Sequence, residues 1–423
     1  MKRVLSRRPV LAWACYDWAN SAFATTVMAV FFPIFFKSYW DAGSEATVST
    51  FHLGITNTIA SLIVALLAPI AGAIADKGGA RLKLLALFTV LGVAMTAGLP
   101  LVERGDWMLA AVLFAAASIG FWGGNQFYDS LLLDVAEEPA YDLVSGFGYA
   151  VGYLGGGLLF LLNALMAKDP AAFGFADAAG AVRASFVMVA IWWAVFAIPV
   201  LLFVRESGAQ PPLAWSAAVG AGWQELKRTL RHVRTDRTLL MFLLAYWFYI
   251  DGVNTVMKMA VDYGLALGFP QGTLITALLI VQFVGFPAAL AFGFLGRRFG
   301  PRTGILIAIV VYASATVYAY FMSSEQEFYA LAITVGLVQG GIQSLSRSLY
   351  GRLVPAGKSG EFFGFYNMMG KAAAVLGPLL TGVTALLTKD SRLAILSLVV
   401  LFVIGGVLLL RVPAQVQAAG SSR

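Results

Sequence analysis

Long apolar segments separated by short polar ones dominate the pattern along this chain of 423 residues. About 20 apolar residues in a helix match the thickness of a bilayer, and only helices or closed barrels satisfy their backbone hydrogen bonds inside one. The pattern predicts an all-α integral membrane protein with twelve spans, near residues 10–37, 50–75, 83–102, 107–132, 144–167, 183–204, 238–261, 272–295, 303–322, 327–349, 361–387 and 391–411.

The composition supports a membrane protein and excludes several other classes. Hydrophobic residues make up 60% of the chain, charged residues 12%, and the mean hydropathy is +0.80, whereas a soluble chain has about 25% charged residues. The short alternating strands of an outer-membrane barrel are absent. A single cysteine excludes an internal disulfide framework, and two histidines give little basis for a metal site. We therefore expect no metal and no cofactor.

Lys and Arg residues are distributed unevenly between the two sets of connections. If the N-terminus is cytoplasmic, the cytoplasmic segments carry 21 of the 29 Lys and Arg residues, and the opposite connections carry seven. Cytoplasmic loops are enriched in these residues, so we expect both termini inside the cell (inner) membrane. The net charge of +7 is then a topology signal, and no nucleic-acid partner is expected. The acidic segment 134–142 departs from this pattern, but acidic residues contribute little to the rule.

The second half of the chain repeats features of the first. An Asp-x-x-Asn-(Ser/Thr) motif begins at Asp17 in the first span and again at Asp251 in the seventh. The longest polar stretch lies between spans six and seven and contains a basic amphipathic segment from Trp215 to Arg237, predicted to be either a linker or a helix on the lipid surface. Parallel repeats of this kind are typical of transporters. The predicted domains are an N-terminal six-helix bundle (1–204), a cytoplasmic central loop (205–237) and a C-terminal six-helix bundle (238–423).

The connection after the second span has the pattern Gly72-x-x-x-Asp76-Lys77-x-Gly79-x-Arg81-x-Lys83. It resembles the signature loop of the major facilitator superfamily, and the resemblance implies two pseudo-symmetric six-helix bundles. It also implies a conformational latch formed by Gly72, Asp76, Lys77, Gly79 and Arg81. Physically, Gly72 allows two helices to approach closely, and Asp76 can accept hydrogen bonds from a helix end or pair with an arginine. The alternative is a basic anchor that only sets topology.

A narrower resemblance covers most of the chain. The segment Tyr16-Asp17-Trp18-Ala19-Asn20-Ser21-Ala22-Phe23, together with the glycine-rich segment 145–156, is similar to the autophagy-related vacuolar effluxer-like family and its bacterial relatives. The eukaryotic members are associated with export of amino acids from the vacuole. This resemblance implies a transporter, and it implies the fold more firmly than the substrate.

Polar residues inside the spans are the candidates for function, because a charge at the bilayer centre costs at least about 2.5–3.5 kcal/mol. They lie mainly on spans one, four, seven and ten, which line the central cavity in the superfamily. The predicted substrate and proton-coupling residues are Asp17, Asn20, Gln126, Asp129, Asp251, Asn254, Gln339, Gln343 and Lys371. The alternative for each is a role in helix packing. Asp129 and Arg347 lie near a predicted span end, where exposure to solvent is a further alternative.

Lys371 has no charged counterpart in the first repeat, where Tyr153 aligns with it. An ammonium group inside a span needs a carboxylate, and Asp251 or Asp17 is the expected partner. The ion pair is either purely structural or one that exchanges with a proton or substrate.

These observations predict a monomeric secondary transporter with small-molecule and proton partners, embedded in the bilayer and working by alternating access. The expected activity is proton-coupled efflux of a small polar metabolite such as a neutral amino acid. No nucleotide-binding Gly-x-x-x-x-Gly-Lys-(Ser/Thr) pattern supports ATP-driven transport. The alternatives are an uncoupled facilitator or channel, and a polytopic membrane enzyme, for which the sequence offers no catalytic constellation.

Overall fold

The computed structural model describes residues 2–206, 227–373 and 375–413. In these ranges the chain is almost entirely helical, and twelve helices are long and apolar enough to cross a membrane. They are α1 (Arg8–Trp40), α2 (Thr47–Gly78), α3 (Arg81–Leu101), α4 (Trp107–Val135), α5 (Glu138–Lys168), α6 (Ala178–Phe203), α7 (Arg237–Ala260), α8 (Gln271–Phe299), α9 (Pro301–Phe321), α10 (Glu325–Leu353), α11 (Ser359–Thr388) and α12 (Arg392–Leu410). The prediction of twelve spans is confirmed.

Several of these helices change geometry along their length. The first, α1, is α-helical over Arg8–Ala22 and Phe32–Phe35, and π-helical over Phe23–Phe31 and Phe36–Trp40. Short π-helical stretches occur frequently at functional sites. Other helical bounds are Ala46–Gly78 for α2, Arg81–Gly98 and Leu99–Leu101 within α3, Trp107–Ser130 and Leu132–Val135 within α4, Glu138–Ala140 and Tyr141–Lys168 within α5, Arg237–Ala266 for α7, and Ser391–Leu396 and Val399–Leu410 for α12. Outside the spans, Lys2–Leu5 and Ala171–Phe173 form single turns.

Buried apolar side chains form two large clusters, one in each half of the chain. The first cluster runs from Val10 to Val204 and the second from Leu239 to Val412. Apolar side chains also cover the outer surface, where Val90 and Leu202 are 65% and 67% exposed. Exposed apolar side chains of this kind are stable when they face lipid. We refer below to the N-terminal half (α1–α6) and the C-terminal half (α7–α12); the predicted domain boundaries stay a prediction.

The predicted amphipathic segment between the halves lies partly outside the described residues. Within it, residues 227–235 are helical and lead directly towards α7. The helix α7 then begins at a capping aspartate, since Asp236 accepts hydrogen bonds from the backbone N–H groups of Thr238 and Leu239 at 2.9 and 3.0 Å. Such a cap satisfies N–H groups that a helix start leaves unpaired.

The helix α1 begins, and α12 ends, on the same face of the molecule, which we call the terminal face. There the two halves touch through α2 with α11 and through α5 with α8. Gly72 lies so close to the backbone of Gly360 that any side chain at position 72 would overlap it, and Gly146 faces Ala289 and Gly293 in the same way. Backbone contacts of this closeness require residues without side chains. They close the terminal face.

The helix α11 is interrupted and consists of Ser359–Ala372 and Leu376–Thr388. The carboxylate of Asp251 in α7 accepts hydrogen bonds from the backbone N–H groups of Leu376 and Gly377 at 2.9 and 3.0 Å. It also accepts one from Thr255 Oγ1 at 3.2 Å. A negative charge at a helix start is favourable because the start carries a partial positive charge. Asp251 therefore holds the second part of α11 in place.

We expect the terminal face to be cytoplasmic, which reporter fusions can test. A fluorescent protein fused after residue 423 should fold and fluoresce, because this reporter is active only inside the cell. The same protein inserted into the connection 168–182 should be dark, while alkaline phosphatase fusions at the two positions should give the opposite result. A fusion after residue 206, also on the terminal face, is the control. Equal signals at 423 and 168–182 would contradict an even number of spans.

Candidate functional site

A cavity of about 370 Å³ lies between the two halves. This volume is in the range typical of sites for small molecules, about 300–1,000 Å³. Most of the polar residues predicted from the sequence line it, namely Asp17, Asn20, Asp129, Asn254, Gln339, Gln343 and Lys371. The π-helical part of α1 contributes Ala24, Thr25 and Met28 to the same wall. The arrangement brings helices from both halves around one polar space.

The guanidinium group of Arg347, on α10, lies at the floor of this cavity and is 1% exposed. Its Nη1 atom donates to Oδ1 of Asp129 on α4 at 2.9 Å. Its Nε and Nη2 atoms donate to the side chain and the backbone carbonyl of Ser145 on α5, at 2.9 and 3.0 Å. All these partners belong to the N-terminal half, so the arginine joins the halves. The alternative of solvent-exposed Asp129 and Arg347 is wrong, because both are buried between helices.

Asp17 is the second carboxylate beside this arginine. Its Oδ2 atom lies 3.8 Å from Nη1 of Arg347 and accepts a hydrogen bond from the hydroxyl of Tyr128 at 2.8 Å. Asp129 receives an additional hydrogen bond, from Nδ2 of Asn367 on α11 at 3.4 Å. Two carboxylates therefore share a single guanidinium group, and one of them, Asp17, contacts it only through the longer distance.

Aromatic rings enclose the arginine and exclude water from most of its surface. The guanidinium carbon lies 4.8 Å from the ring centre of Trp13, 5.3 Å from that of Tyr128 and 4.5 Å from that of Tyr149. Cations over aromatic faces are attracted by about 0.5–2 kcal/mol, more when they are desolvated. The rings thus support a positive charge at this depth and fix its direction.

Two of the predicted site residues do not line the cavity. Asp251 caps the second part of α11 as described above, so its carboxylate contacts backbone N–H groups. Gln126 bridges two helices near the terminal face, where its Nε2 atom donates to the carbonyls of Ala68 on α2 and Gly360 on α11 at 2.6 and 3.2 Å. In this conformation Asp251 and Gln126 both serve helix packing, which was the alternative to a role in the cavity.

The prediction of an ion pair between Lys371 and Asp251 or Asp17 is wrong, because neither pair forms in the structure. Both carboxylates are engaged elsewhere, and the Nζ atom of Lys371 instead lies 2.8 Å from the ring centre of Trp122 on α4. The reason is geometric, because the carboxylate of Asp251 is turned towards the start of the second part of α11. Lys371 does face the cavity, as expected for a site residue.

The loop between α2 and α3 lies against the start of α11. The carboxylate of Asp76 accepts hydrogen bonds from the backbone N–H groups of Gly360 and Glu361 at 2.9 and 2.8 Å. Gly79 ends α2 in a left-handed conformation, with φ of 55°, which favours glycine. Lys77 lies in the last turn of the same helix. A carboxylate of the N-terminal half thus caps a helix of the C-terminal half.

Arg81 connects this loop to its neighbours and is buried. Its Nη1 atom donates to Asp134 at 2.7 Å and to Ser359 Oγ at 2.6 Å, and its Nε atom lies 3.8 Å from Asp76. The carboxylate of Glu206, after α6, accepts a hydrogen bond from the backbone N–H of Arg81 at 3.1 Å. A residue that only anchors topology would point towards lipid headgroups, so these contacts favour the latch interpretation.

The acidic segment 134–142 finds basic partners on the terminal face. Asp134 pairs with Arg81, and Asp142 pairs with Arg352 of α10 at 2.9 Å. The Oγ atom of Ser348 also donates to Asp142 at 2.5 Å. The segment that departs from the positive charge of this face is therefore part of the contact between the halves.

Comparison with known proteins identifies the family. The model of the family described as "Vacuole effluxer Atg22 like" matches residues 42–419. The chain belongs to this Atg22-like family. An "Uncharacterized MFS-type transporter YxiO" from Bacillus subtilis is 40% identical over 409 residues, 96% of this chain and 94% of that protein. "Autophagy-related protein 22-1" from Aspergillus niger is 27% identical over 284 residues, which are 62% of this chain and 45% of that longer protein.

Solved structures show the fold of this Atg22-like chain. A "proton:xylose symporter XylE" is 14% identical with a TM-score of 0.72, over 96% of this chain and 95% of that one. The "human organic anion transporter MFSD10 (TETRAN)" is 14% identical with a TM-score of 0.73, over 95% and 99%. At this identity the likeness shows the fold alone. Both resemblances seen in the sequence are confirmed, and the Atg22-like chain is a transporter of the major facilitator type, not an enzyme.

Several residues of the Atg22-like cavity were not among the predicted site residues. The four-residue spacing of Gln339, Gln343 and Arg347 indicated that Arg347 shares a helix face with the two glutamines. The sequence did not indicate how deeply Arg347 is buried. Lys258 lies one helical turn after Asn254 on the same face of the seventh span, and this spacing was the signal that could have added it to the site residues. Trp122 and Tyr128 carried no polar signal, because aromatic residues are common throughout the spans.

The contact of Asp76 with α11 can be tested by the change Asp76→Asn. An amide oxygen cannot replace a charged carboxylate at two N–H groups, so we expect a normally folded protein whose terminal face opens more often. The measurement uses a cysteine at Ala24, in the cavity, in a Cys15→Ser background. Its alkylation by a membrane-impermeant maleimide added on the face opposite the terminal face should become slower.

The matched control is Asp177→Asn, since Asp177 caps α6 through the N–H of Gly180 at 2.7 Å, away from the contact between the halves. It should leave the alkylation rate unchanged. If the alkylation rate were also unchanged in Asp76→Asn, the loop after α2 would serve only as a basic anchor that sets topology.

Proposed function

We propose that the protein is a proton-coupled secondary transporter that exports a small polar metabolite by alternating access, with neutral amino acids as the first substrate class to test. One observation carries this proposal. At the floor of the cavity Arg347, from the C-terminal half, is shared by Asp129 and Asp17 of the N-terminal half, at 2.9 and 3.8 Å.

The charge balance of this cluster favours proton binding. Two ionised carboxylates and one guanidinium group leave one net negative charge in a buried place, which is unfavourable inside a membrane. A proton on one carboxylate removes that charge. Asp17 is the better candidate, since Asp129 makes the direct hydrogen bond to Arg347. Asp17 also lines the cavity, so a proton can reach it from the water there.

The same contacts link protonation to movement. Opening the terminal face requires α4 and α5 to separate from α10, and this breaks the bonds from Arg347 to Asp129 and Ser145. Separating a buried ion pair without replacing a partner costs about 3–5 kcal/mol. Water that enters the open cavity, or a substrate that supplies a charge, offsets this cost, and Asp17 can release its proton into that water. Transport of the substrate and of protons is then coupled at one arginine.

The lining of the cavity is suited to a small polar substrate. Amide side chains extend into it from both halves, including Asn20, Asn125, Asn254, Gln339 and Gln343. Among the described residues, Oε1 of Gln339 is buried without a hydrogen-bond partner. A buried polar atom without a partner costs about 1–3 kcal/mol, and a ligand that donates a hydrogen bond removes that cost.

The distribution of Lys and Arg supports a cytoplasmic terminal face in the cell membrane. In this orientation the closed face in the structure is the cytoplasmic one, and the cavity belongs to an outward-facing conformation. Export is favoured by the description of the family as vacuole effluxers. We propose a monomer as the working unit, with the cavity lined by both halves of one chain.

The coupling role of Asp17 can be tested by Asp17→Asn in proteoliposomes. Wild-type protein should accumulate a radiolabelled neutral amino acid when a pH gradient is imposed. The variant should still exchange the substrate but lose gradient-driven accumulation, because an amide binds no proton. Asp169→Asn, at an exposed aspartate in the connection after α5, should behave like the wild type. Gradient-driven accumulation by Asp17→Asn would contradict the assignment, and exchange without any gradient effect in the wild type would identify an uncoupled facilitator.

Asp251 provides the contrasting case. We expect Asp251→Ala to lower the melting temperature, because two backbone N–H groups and a hydroxyl lose their acceptor, while gradient-driven accumulation persists in the remaining folded protein. Loss of proton coupling with an unchanged melting temperature would instead indicate that Asp251 carries the coupled proton. The variant therefore separates a helix cap from a proton carrier.

A further inference from the structure

Two lysines, Lys371 and Lys258, line the cavity. Among the carboxylates whose side chains the structure describes, none forms an ion pair with Nζ of Lys371 or Lys258, whereas the arginine at the floor has two carboxylates. Lys371 is half-buried and Lys258 is exposed in the cavity. Both belong to the lining of the same cavity, so their like charges repel each other. Positive charge is thus concentrated in one part of the cavity.

The carboxylate of Asp251 is not free to compensate it. Asp251 precedes Lys258 by two helical turns on α7, and its oxygens accept hydrogen bonds from the backbone N–H groups of Leu376 and Gly377. The end of the first part of α11 gives Lys371 some further support, since a helix end carries a partial negative charge. That effect contributes about 0.3–1 kcal/mol, which is less than the cost of the charge in a membrane.

The ring of Trp122 holds the ammonium group of Lys371 in place from one side. The Nζ atom lies 2.8 Å from the ring centre, in the geometry of a cation–π contact. The ring covers one side of the ammonium group, so the N–H groups on the other side keep their capacity for a ligand. The half-helix start that could otherwise bind an anion, at Leu376, is already capped by Asp251. The lysines are the cationic groups left for a ligand.

We propose that Lys371 and Lys258, with Lys371 held over Trp122, form a subsite for the carboxylate group of the transported substrate. This inference rests on the proposed function and specifies the substrate class as small carboxylates, amino acids among them. A carboxylate bound between two ammonium groups makes charge-assisted hydrogen bonds and cancels their repulsion.

The position of the subsite relative to the floor adds a second feature. Trp122 and Asp129 are seven residues apart on α4, which places them about 10 Å apart along the helix. When Asp17 is deprotonated, the floor carries one negative charge in excess, whereas the lysines carry positive charge. A substrate with a carboxylate at one end and a cationic or hydrogen-bond-donating group at the other matches this polarity. The arrangement selects against ligands that lack a carboxylate.

The test measures ligand binding by the purified full-length protein in detergent, without any transport. The probes are the twenty common amino acids and, for each, the carboxamide in which the carboxylate is replaced. At least one amino acid should raise the melting temperature, and its carboxamide should not. In Lys371→Met the affinity for that amino acid should fall at least about tenfold, because a hydrogen bond to a charged group is lost. Lys258→Gln should act in the same direction.

The ligand-free melting temperature separates binding from structure. Removing an unpaired ammonium group should leave the stability of Lys371→Met unchanged or higher, whereas loss of a structural ion pair would lower it. Lys168→Met, at an exposed lysine that ends α5, is the matched control and should change neither quantity. Stabilisation by no amino acid, equal stabilisation by the carboxamides, or full affinity in Lys371→Met would each overturn the proposal.

The variant Asp17→Asn keeps the two proposals distinguishable. It should retain the preference for the amino acid over its carboxamide while losing proton coupling. Loss of that preference in Asp17→Asn, with the preference intact in Lys371→Met, would place the carboxylate at the floor and overturn the lysine subsite. Failure of coupling alone would leave the subsite unaffected.

Discussion

The structure depends on how one buried positive charge is satisfied. The guanidinium group of Arg347 enters from the C-terminal half and obtains its hydrogen bonds from Asp129 and Ser145 of the N-terminal half. Since a buried charge without partners is costly, the arginine holds the halves together for as long as those partners remain. The same contacts of Arg347 therefore close the terminal face and form the ionisable floor of the cavity.

Around this ion pair, glycines and helix caps fix how closely the helices approach. Gly72 and Gly146 let α2 and α5 touch helices of the other half, and Asp76 then reaches the first N–H groups of α11. Each of these contacts joins the N-terminal to the C-terminal half at the terminal face. Movement that separates the halves must break them together, which makes a concerted change between two states more favourable than gradual opening.

Much of the fold follows from the sequence because bilayer thickness and helical spacing are strong constraints. Segments of apolar residues predicted twelve spans, and the spacing of Gln339, Gln343 and Arg347 placed all three on one face of α10. The three-residue spacing of Asp17 and Asn20 placed both on one face of α1. These are local properties of single helices, and they need no knowledge of neighbouring segments.

The partners of these residues were beyond such local reasoning. Asp17 and Asp251 begin the same motif, yet only the break in α11 turned Asp251 into a helix cap. The contact of Lys371 with Trp122 depends on the relative depth of two helices far apart in the chain. Sequence periodicity predicts which residues share a helix face. It does not predict how deep the helix lies or how it is rotated against other helices.

Whether Arg347 closes the terminal face through its carboxylates can be measured directly as a distance. Spin labels at Glu137 and Ala356, exposed positions on opposite halves of that face, report its opening in a Cys15→Ser background. We expect one short distance in the wild type and a shift of the population towards longer distances in Arg347→Gln. The same short distance in both proteins would contradict it.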